Sequence, residues 1–368
     1  MSIDKRGDNT WRFRIYKNGK SYTKTFKGTE KQAKKAHDLF RLEIERGEIG
    51  LNENMRMDEL CELVYKNYVV PNCKVSTQRI YKQNYNAYIL PAIGTMKISS
   101  IKPIHIQQIV NTMSKTLKPN TIGNCMGCLG KTFSLAEKWE LIKESPYRHI
   151  ELPKSPKKNH TELLSLEEIK ILLDYYSKEN NLLHKTAFYL AIGCGLRNSE
   201  IRALTIDDID WDNGILVVNK QLAEIRNELG EIVEGVSSPK TTSSIRKIYI
   251  PQFIIAILNE YINSLPFIPP TKQIFWSFIT GKPISKHCLS KRFRYVCESI
   301  GITPIRFHDL RHLQATLLIH SNINVQAISK RLGHSDTQTT LRVYTHSLDD
   351  VDKQVASSID TTFKELSK

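Results

Sequence analysis

The 368-residue chain has no long hydrophobic run: every apolar stretch is broken by polar or charged residues well short of the roughly 18 consecutive apolar residues that read as a membrane span. That excludes an integral membrane helix. The opening Met1-Ser-Ile-Asp-Lys-Arg-Gly-Asp-Asn-Thr-Trp-Arg-Phe-Arg-Ile15 has no apolar h-region, so export is not expected. Cysteine is scarce: seven residues, an odd number at irregular spacing, do not make a disulfide framework and fit a reducing cytoplasm. The one close pair, Cys125-Met-Gly-Cys128, lies in a helical pattern with no second pair nearby and reads as structural cysteines rather than half a zinc site. Nucleotide and metal machinery is missing too. Gly193-Cys-Gly195 lacks a third glycine and a preceding strand, there is no Walker lysine, and no His-Glu-x-x-His occurs.

Acidic residues are also in short supply, 38 against 53 basic ones, for a net charge of +15. Such a surplus implies an anionic partner. Its distribution is uneven: residues 1–50 hold 13 basic and 7 acidic residues, residues 51–160 hold 16 and 8, and residues 161–368 hold 24 and 23. The first 160 residues therefore carry nearly all of it.

Within residues 1–50, Trp11-Arg-Phe-Arg-Ile-Tyr16 and Ser21-Tyr-Thr-Lys-Thr-Phe26 alternate with period two on either side of Asn18-Gly19, the strongest short-range hairpin signal. The register sets Trp11 opposite Phe26 and Ile15 opposite Tyr22 on an apolar face. Arg12, Arg14, Thr23 and Thr25 share the other face. Thr29 and Gln32 are spaced as a capping box for a helix that offers Ala33, Ala36, Leu39, Phe40 and Ile44 to the apolar face. A face of Arg and Thr on a small sheet suits a DNA groove, and equally a solvated surface.

Residues 55–152 show helical patches without strand alternation: Leu60, Leu63 and Val64; Tyr81, Tyr85, Tyr88 and Ile89; Ile104, Ile106, Ile109 and Val110; Leu129, Phe133, Leu135 and Ala136. Turns are expected at Pro71-Asn72, Pro91-Ala-Ile-Gly94 and Lys118-Pro-Asn120, giving an all-α bundle of about four helices. The stretch Leu152-Pro-Lys-Ser-Pro-Lys-Lys-Asn-His160 reads as a basic linker. Beyond it, residues 161–368 read as a mainly-α mixed domain: a helix capped by Ser165 and Glu168, an apolar helix over 186–195, a strand at 215–218, a hairpin ending at 245–250, then helices.

The polar residues of this last domain make sense around a phosphodiester. His308 and His312 are one helical turn apart, but Arg311 between them argues against a metal. Arg197 follows a glycine turn in Gly193-Cys-Gly-Leu-Arg-Asn-Ser-Glu200; Lys240 sits in Ser-Pro-Lys-Thr-Thr-Ser-Ser-Ile-Arg; His308 and Arg311 in Phe-His-Asp-Leu-Arg-His312; His334 in Leu332-Gly-His334; and Tyr344 ten residues later. In this order and spacing they resemble the tyrosine recombinases, or phage integrase family. The N-terminal hairpin and helix look like the arm-binding domain of integrases from phages and conjugative transposons. The middle bundle, with Ile89-Leu-Pro-Ala-Ile-Gly94, looks like their core-binding domain.

The resemblance implies a multidomain protein with a small N-terminal β-sheet plus helix (α+β, residues 1–50), a central all-α bundle (55–152) and a C-terminal mainly-α mixed catalytic domain of tyrosine recombinase type (161–368). It implies a site-specific recombinase that integrates and excises a mobile element, prophage or conjugative transposon, through a 3′-phosphotyrosyl intermediate. A chromosome-dimer resolvase or type IB topoisomerase shares the chemistry, and a non-catalytic DNA-binding regulator is a third reading, disfavoured because a mere binder needs no Tyr344. Tyr344 is implied as nucleophile, Arg197 and Arg311 as ligands of the non-bridging oxygens, Lys240 as acid for the departing 5′-oxygen, His308 as assistant in proton transfer and His334 as a phosphate donor. A phenol of pKa about 10 needs such a cationic field at neutral pH. Glu200 orients its neighbours. No cofactor or metal is required.

The implied partners are double-stranded DNA at core and arm sites, the latter through Arg12, Arg14, Thr23 and Thr25; a homotetramer on DNA through the C-terminal tail; and an accessory directionality or DNA-bending protein. The tail's stripe Val351, Val355, Ile359 and Phe363 by itself reads as a helix face folded back on its own domain, and the resemblance implies docking onto a neighbouring protomer instead. No membrane is involved, and the implied location is cytoplasmic, nucleoid-associated in a bacterial host. Two departures stand out. Leu313 follows the His-Asp-Leu-Arg-His run where a small hydroxyl residue is common, and the stretch from Gln221 to Gly235 is long and acidic.

Overall fold

The computed structural model describes residues 2–17, 20–45, 54–154, 164–239 and 242–333. The chain divides into two compact units, Met1–Lys157 and Lys158–Lys368.

The first unit opens with an antiparallel sheet of β1 (Ser2–Gly7), β2 (Thr10–Lys17) and β3 (Lys20–Lys27), in that order. The β2–β3 register is the expected one, with Trp11 opposite Phe26, Ile15 opposite Tyr22, Arg12 opposite Thr25 and Arg14 opposite Thr23. The Asn18-Gly19 turn itself lies outside the described residues. Strand β1 is an addition to the expected hairpin, and it sets Asp4 opposite Arg12, so the arginine face also holds a carboxylate. Helix α1 (Glu30–Glu45) covers the other face, where Phe13, Ile15, Ala33, Phe40 and Ile44 are buried together. Gln32 Oε1 accepts from the Thr29 backbone N–H at 3.0 Å, completing that half of the capping box. Leu39 departs from expectation: it is 53% exposed, because a helix turns 100° per residue and Leu39 falls beyond the edge of the stripe defined by Ala33, Phe40 and Ile44.

The unit continues with helices α2 (Met57–Val64), α3 (Val75–Asn84), α4 (Pro103–Ser114) and α5 (Pro119–Lys138) around a second core. Leu60, Val64, Ile89, Ile106, Leu129 and Phe133 are buried there, while Ile104 in the first turn of α4 faces solvent. The Tyr85 and Thr132 hydroxyls share a buried 2.6 Å hydrogen bond. Cys125 and Cys128 both lie in this core, and burial pushes the Cys125 thiol up to about 12 and the Cys128 thiol upward as well.

The turn at Lys118-Pro119 separates α4 from α5 as expected, but the prolines at the other two expected turns, Pro71 and Pro91, sit inside helix ends instead. Helix α2 runs on through a π-helical stretch, Tyr65–Val69, into Val70–Asn72, and α3 runs on through Tyr85–Ile89 into Leu90–Ile93. In each case the residue just before the proline donates five residues back, Val70 to Tyr65 O and Leu90 to Tyr85 O. A proline ring collides with the carbonyl four residues earlier, and one widened turn makes room without ending the helix.

In the second unit, Ser165 and Glu168 cap α6 (Leu166–Ser177) reciprocally, at 3.2 and 2.8 Å. Helix α7 (Leu182–Cys194) starts earlier than the apolar pattern suggested, because Asn181 caps it by accepting from His184 N–H. Residues Thr186 through Ile192 are buried all round, so α7 is the central helix, and Phe188 stacks on Tyr176 at 3.8 Å between ring centroids. Short helix α8 (Asn198–Ala203) follows. A small antiparallel sheet orders β4 (Ile209–Asp210), β5 (Ile215–Val218) and β8 (Arg246–Tyr249), with Val218 opposite Arg246. Between β5 and β8 the acidic stretch forms its own hairpin, β6 (Gln221–Arg226) and β7 (Ile232–Ser237). Helices α9 (Gln252–Ser264), α10 (Cys288–Ser299), α11 (Asp309–His320) and α12 (Val325–Leu332) complete the described chain. Ala315, Ile319, Ile328 and Leu332 form a small core that fixes the end of α12 against α11. The departure at Leu313 is a matter of packing: the side chain is buried in the main core. Among the described residues no helix is long and apolar enough to cross a membrane.

Candidate active site

Helices α7 and α12 both end on a glycine in the left-handed region, Gly195 at φ +67° and Gly333 at φ +65°. The last carbonyls of a helix have no partner within it and form the negative end of its dipole. Here arginines take them. Arg311 donates from Nη1 to Gly195 O at 2.6 Å and from Nη2 to Leu332 O. Arg246 donates from Nε to Arg331 O at 2.9 Å, and Arg197 from Nη2 to Gly333 O at 3.4 Å. Three consecutive carbonyls of one helix end thus hold three different guanidiniums. Gln314 adds a bond from Nε2 to Gly193 O at 2.6 Å.

One carboxylate serves this cluster. Glu200, one turn into α8, is buried, and its Oε1 accepts from Arg197 Nη1 at 2.6 Å and from Arg246 Nη1 at 3.1 Å. Its Oε2 accepts from the Arg197 backbone N–H and from Arg246 Nη2, both at 2.9 Å. Burial opposes the charge on Glu200, but Arg246 and Arg197 outweigh it and hold the carboxyl below its ordinary range.

Arg311 is only 1% exposed. Burial, then the charges of Arg197 and Arg246, push its pKa down to about 9, against a weaker upward pull from Glu200. His308, at the start of α11, is an exposed residue. Crowding of the ring against the protein, with His312, Arg311 and Arg197 acting in the same direction, lowers it to about 4, so it is neutral at physiological pH. Its ring stands perpendicular to that of His312 at 5.3 Å. Asp309, next along, is occupied by Arg306 at 2.7 Å.

The structure therefore brings together Arg197, Glu200, His308 and Arg311 of the sequence-predicted set. Lys240, His334 and Tyr344 lie outside the described residues, as does the tail with Val351, Val355, Ile359 and Phe363. Arg12, Arg14, Thr23 and Thr25 occupy one face of the N-terminal sheet. Sequence reasoning missed Arg246. A signal was present: alternation in Arg246-Lys-Ile-Tyr249 places Arg246 on the inward face with Ile248, and a buried arginine requires a buried acid.

Three guanidiniums near one carboxylate leave the site with a net positive charge, and Arg197 and Arg311 bring to it planar, forked groups of the kind suited to a phosphate. Among the described residues no three His, Cys, Asp or Glu side chains gather as a metal site.

Comparison with known proteins gives one answer. The family model of the phage integrase family matches residues 162–350, and that of the phage integrase N-terminal SAM-like domain matches residues 57–114. The ICEBs1 integrase of Bacillus subtilis (strain 168) is 29% identical over 302 residues, covering 78% of this chain and 80% of that one. Among solved structures, the Tn1549 transposon integrase in complex with transposon right end DNA superposes with a TM-score of 0.69 at 22% identity, over 83% of this chain and 100% of that one. A lambda integrase tetramer bound to a Holliday junction gives 0.58 at 17% identity, over 91% of this chain and 96% of that one. At these identities the two structures speak for the fold.

Proposed function

The chain belongs to the phage integrase family and is a tyrosine recombinase of a mobile element, and we propose that it breaks and rejoins DNA at the arginine cluster, with Tyr344 as nucleophile. The observation that carries this reading is the convergence of Arg197 and Arg311 on the ends of α7 and α12, beside a neutral His308. In-line attack on a phosphodiester builds charge on its non-bridging oxygens, and two preorganised guanidiniums stabilise that charge without rearranging. The Tyr344 phenolate displaces the 5′-oxygen and becomes a 3′-phosphotyrosine, which keeps the ester bond energy for rejoining. His308 takes up the phenol proton, Lys240 protonates the departing 5′-oxygen, and His334, next in sequence after Gly333, donates to the phosphate. Glu200 touches no phosphate and holds Arg197.

In the same reading residues 1–50 bind arm sites through Arg12, Arg14, Thr23 and Thr25, residues 55–152 bind core sites, and residues 161–368 carry the chemistry. The tail beyond Tyr344 docks onto a neighbouring protomer in a tetramer on DNA, an accessory directionality or bending protein sets direction, and the enzyme works at the nucleoid of a bacterial host. The net charge of +15, concentrated before residue 160, supports the DNA-gripping role of the first two segments.

The test is a nicked suicide duplex carrying the crossover site. A covalent protein–DNA adduct is expected without added metal, and none with Tyr344→Phe. An adduct of undiminished yield in the phenylalanine variant would falsify the assignment of the nucleophile.

A further inference from the structure

Arg246 has no part in the reading above, yet with four hydrogen bonds it is as heavily bonded as Glu200. It opens β8 on the inward face and its side chain is 4% exposed. Its fork grips Glu200 through Nη1 at 3.1 Å and Nη2 at 2.9 Å, its Nε holds Arg331 O at 2.9 Å, and Nη1 also reaches Ser244 O at 3.1 Å. One planar group thus ties together the first turn of α8, the end of α12 and the entry to β8. Its stem lies against Gly333, where an added Cβ would stand 3.0 Å from Arg246 Cδ.

Each phosphate-binding arginine is one step from this hub. Glu200 bonds both the side chain and the backbone N–H of Arg197, so a displaced Glu200 displaces Arg197. Arg331, whose carbonyl Arg246 holds, immediately precedes Leu332, whose carbonyl holds Arg311. Four of its five N–H groups donate to protein oxygens, and the side chain is turned inward from solvent.

We propose that Arg246 is a positioning residue for strand cleavage: through Glu200 and the end of α12 it sets Arg197 and Arg311 to a common phosphate, without touching that phosphate itself. The proposal rests on the phosphodiester reading of Arg197 and Arg311. A lysine at 246 keeps the charge but has no fork and no Nε donor, so it cannot hold the three segments together.

The experiment uses the full chain and the nicked crossover-site duplex, reading single-turnover adduct formation beside DNA affinity. Arg246→Lys is expected to slow cleavage about 100-fold, as a misplacement of catalytic groups by about 1 Å does, with affinity unchanged. Because a lysine lacks the fork that satisfies both oxygens of the buried carboxylate, Glu200→Gln with Arg246→Met, which removes the ion pair at similar volume, is measured alongside and is expected to lose rate in the same way. The discriminating step is a double-mutant cycle. On an Arg197→Lys background, Arg246→Lys should slow cleavage clearly less than it does in the wild type, since the route through Glu200 to Arg197 is already lost and only the route to Arg311 remains. The proposal is overturned if both Arg246 variants cleave at the wild-type rate, if affinity falls as far as rate, or if the losses multiply in the cycle. An absent wild-type adduct takes down the phosphodiester reading and this proposal with it; a normal wild-type adduct with unimpaired Arg246 variants overturns this proposal alone.

Discussion

Two sets of arginines in this chain work under opposite conditions. Arg12 and Arg14 stand half-buried on a strand face, opposite Thr25 and Thr23, in a segment with 13 basic and 7 acidic residues. Arg197, Arg246 and Arg311 belong to a region that is nearly neutral, 24 basic to 23 acidic residues, yet they are tethered to helix-end carbonyls and to one buried carboxylate. Net charge therefore says little about where charge does chemistry. A surplus spread along strands attracts a polyanion over a distance, whereas guanidiniums fixed by backbone carbonyls select one phosphate geometry.

The sharpest way to break the comparison is at Arg311. Arg311→Lys should slow adduct formation on the nicked core-site duplex by about 100- to 1000-fold, with core-site affinity nearly unchanged. Equal loss of affinity would place Arg311 with the gripping arginines instead. The converse is Arg12→Ala with Arg14→Ala. Arm-site affinity should fall about 30-fold and the salt slope by about two, with core-site cleavage intact, as titrations at several salt concentrations would show.

Backbone substitutions sharpen the contrast between a fixed site and a tolerant one. Gly195→Ala should lower the stability of the chain by about 2 kcal/mol in urea unfolding. Its φ of +67° is one reason, and the other is that a Cβ would come within 2.2 Å of Gln314 Oε1 and 2.5 Å of Leu332 Cδ2. Gly123→Ala in α5, where a Cβ meets nothing within 4 Å, should instead raise stability by up to about 1 kcal/mol.

The smallest effect concerns pH. His308 is held near 4 in the folded chain against 6.5 ordinarily, so the unfolded chain takes up this proton first on acidification. Its contribution to stability is present above pH 6.5 and is lost as pH falls toward 4. His308→Asn should flatten the pH dependence of the unfolding midpoint in that window, and an unchanged slope would show that neither desolvation nor the neighbouring positive charges act on the ring as described.

Legibility from the sequence followed how local each signal was. The β2–β3 register came from two turn residues and strict alternation, and the α6 cap from Ser165 and Glu168, all within a few residues of one another. Arg197 and Arg311 could be singled out together because motif order carries information that folding then brings together. Strand β1 was not readable: Ser-Ile-Asp-Lys-Arg-Gly has a single apolar residue, Ile3, and pairs only because β2 already exists. The helices running past Pro71 and Pro91 were missed because a π-turn leaves no mark in composition. Glu200 could be given a supporting role from its spacing to Arg197, but its second partner, Arg246, lies far along the chain, and only the three-dimensional fold joins them.

Strands β5 and β8 pair directly, Val218 to Arg246, while the chain between them leaves and returns as the separate β6–β7 ladder. Topologically the ladder is a side branch, and its tip, from Asn227 to Glu231, closes on itself through the Asn227 and Glu231 backbone pair. Lengthening such a tip changes closure entropy only logarithmically and leaves the β5–β8 register untouched. The tip is therefore a natural attachment point: a peptide epitope or fluorophore-binding tag inserted there would report on the enzyme while the arginine cluster keeps its frame.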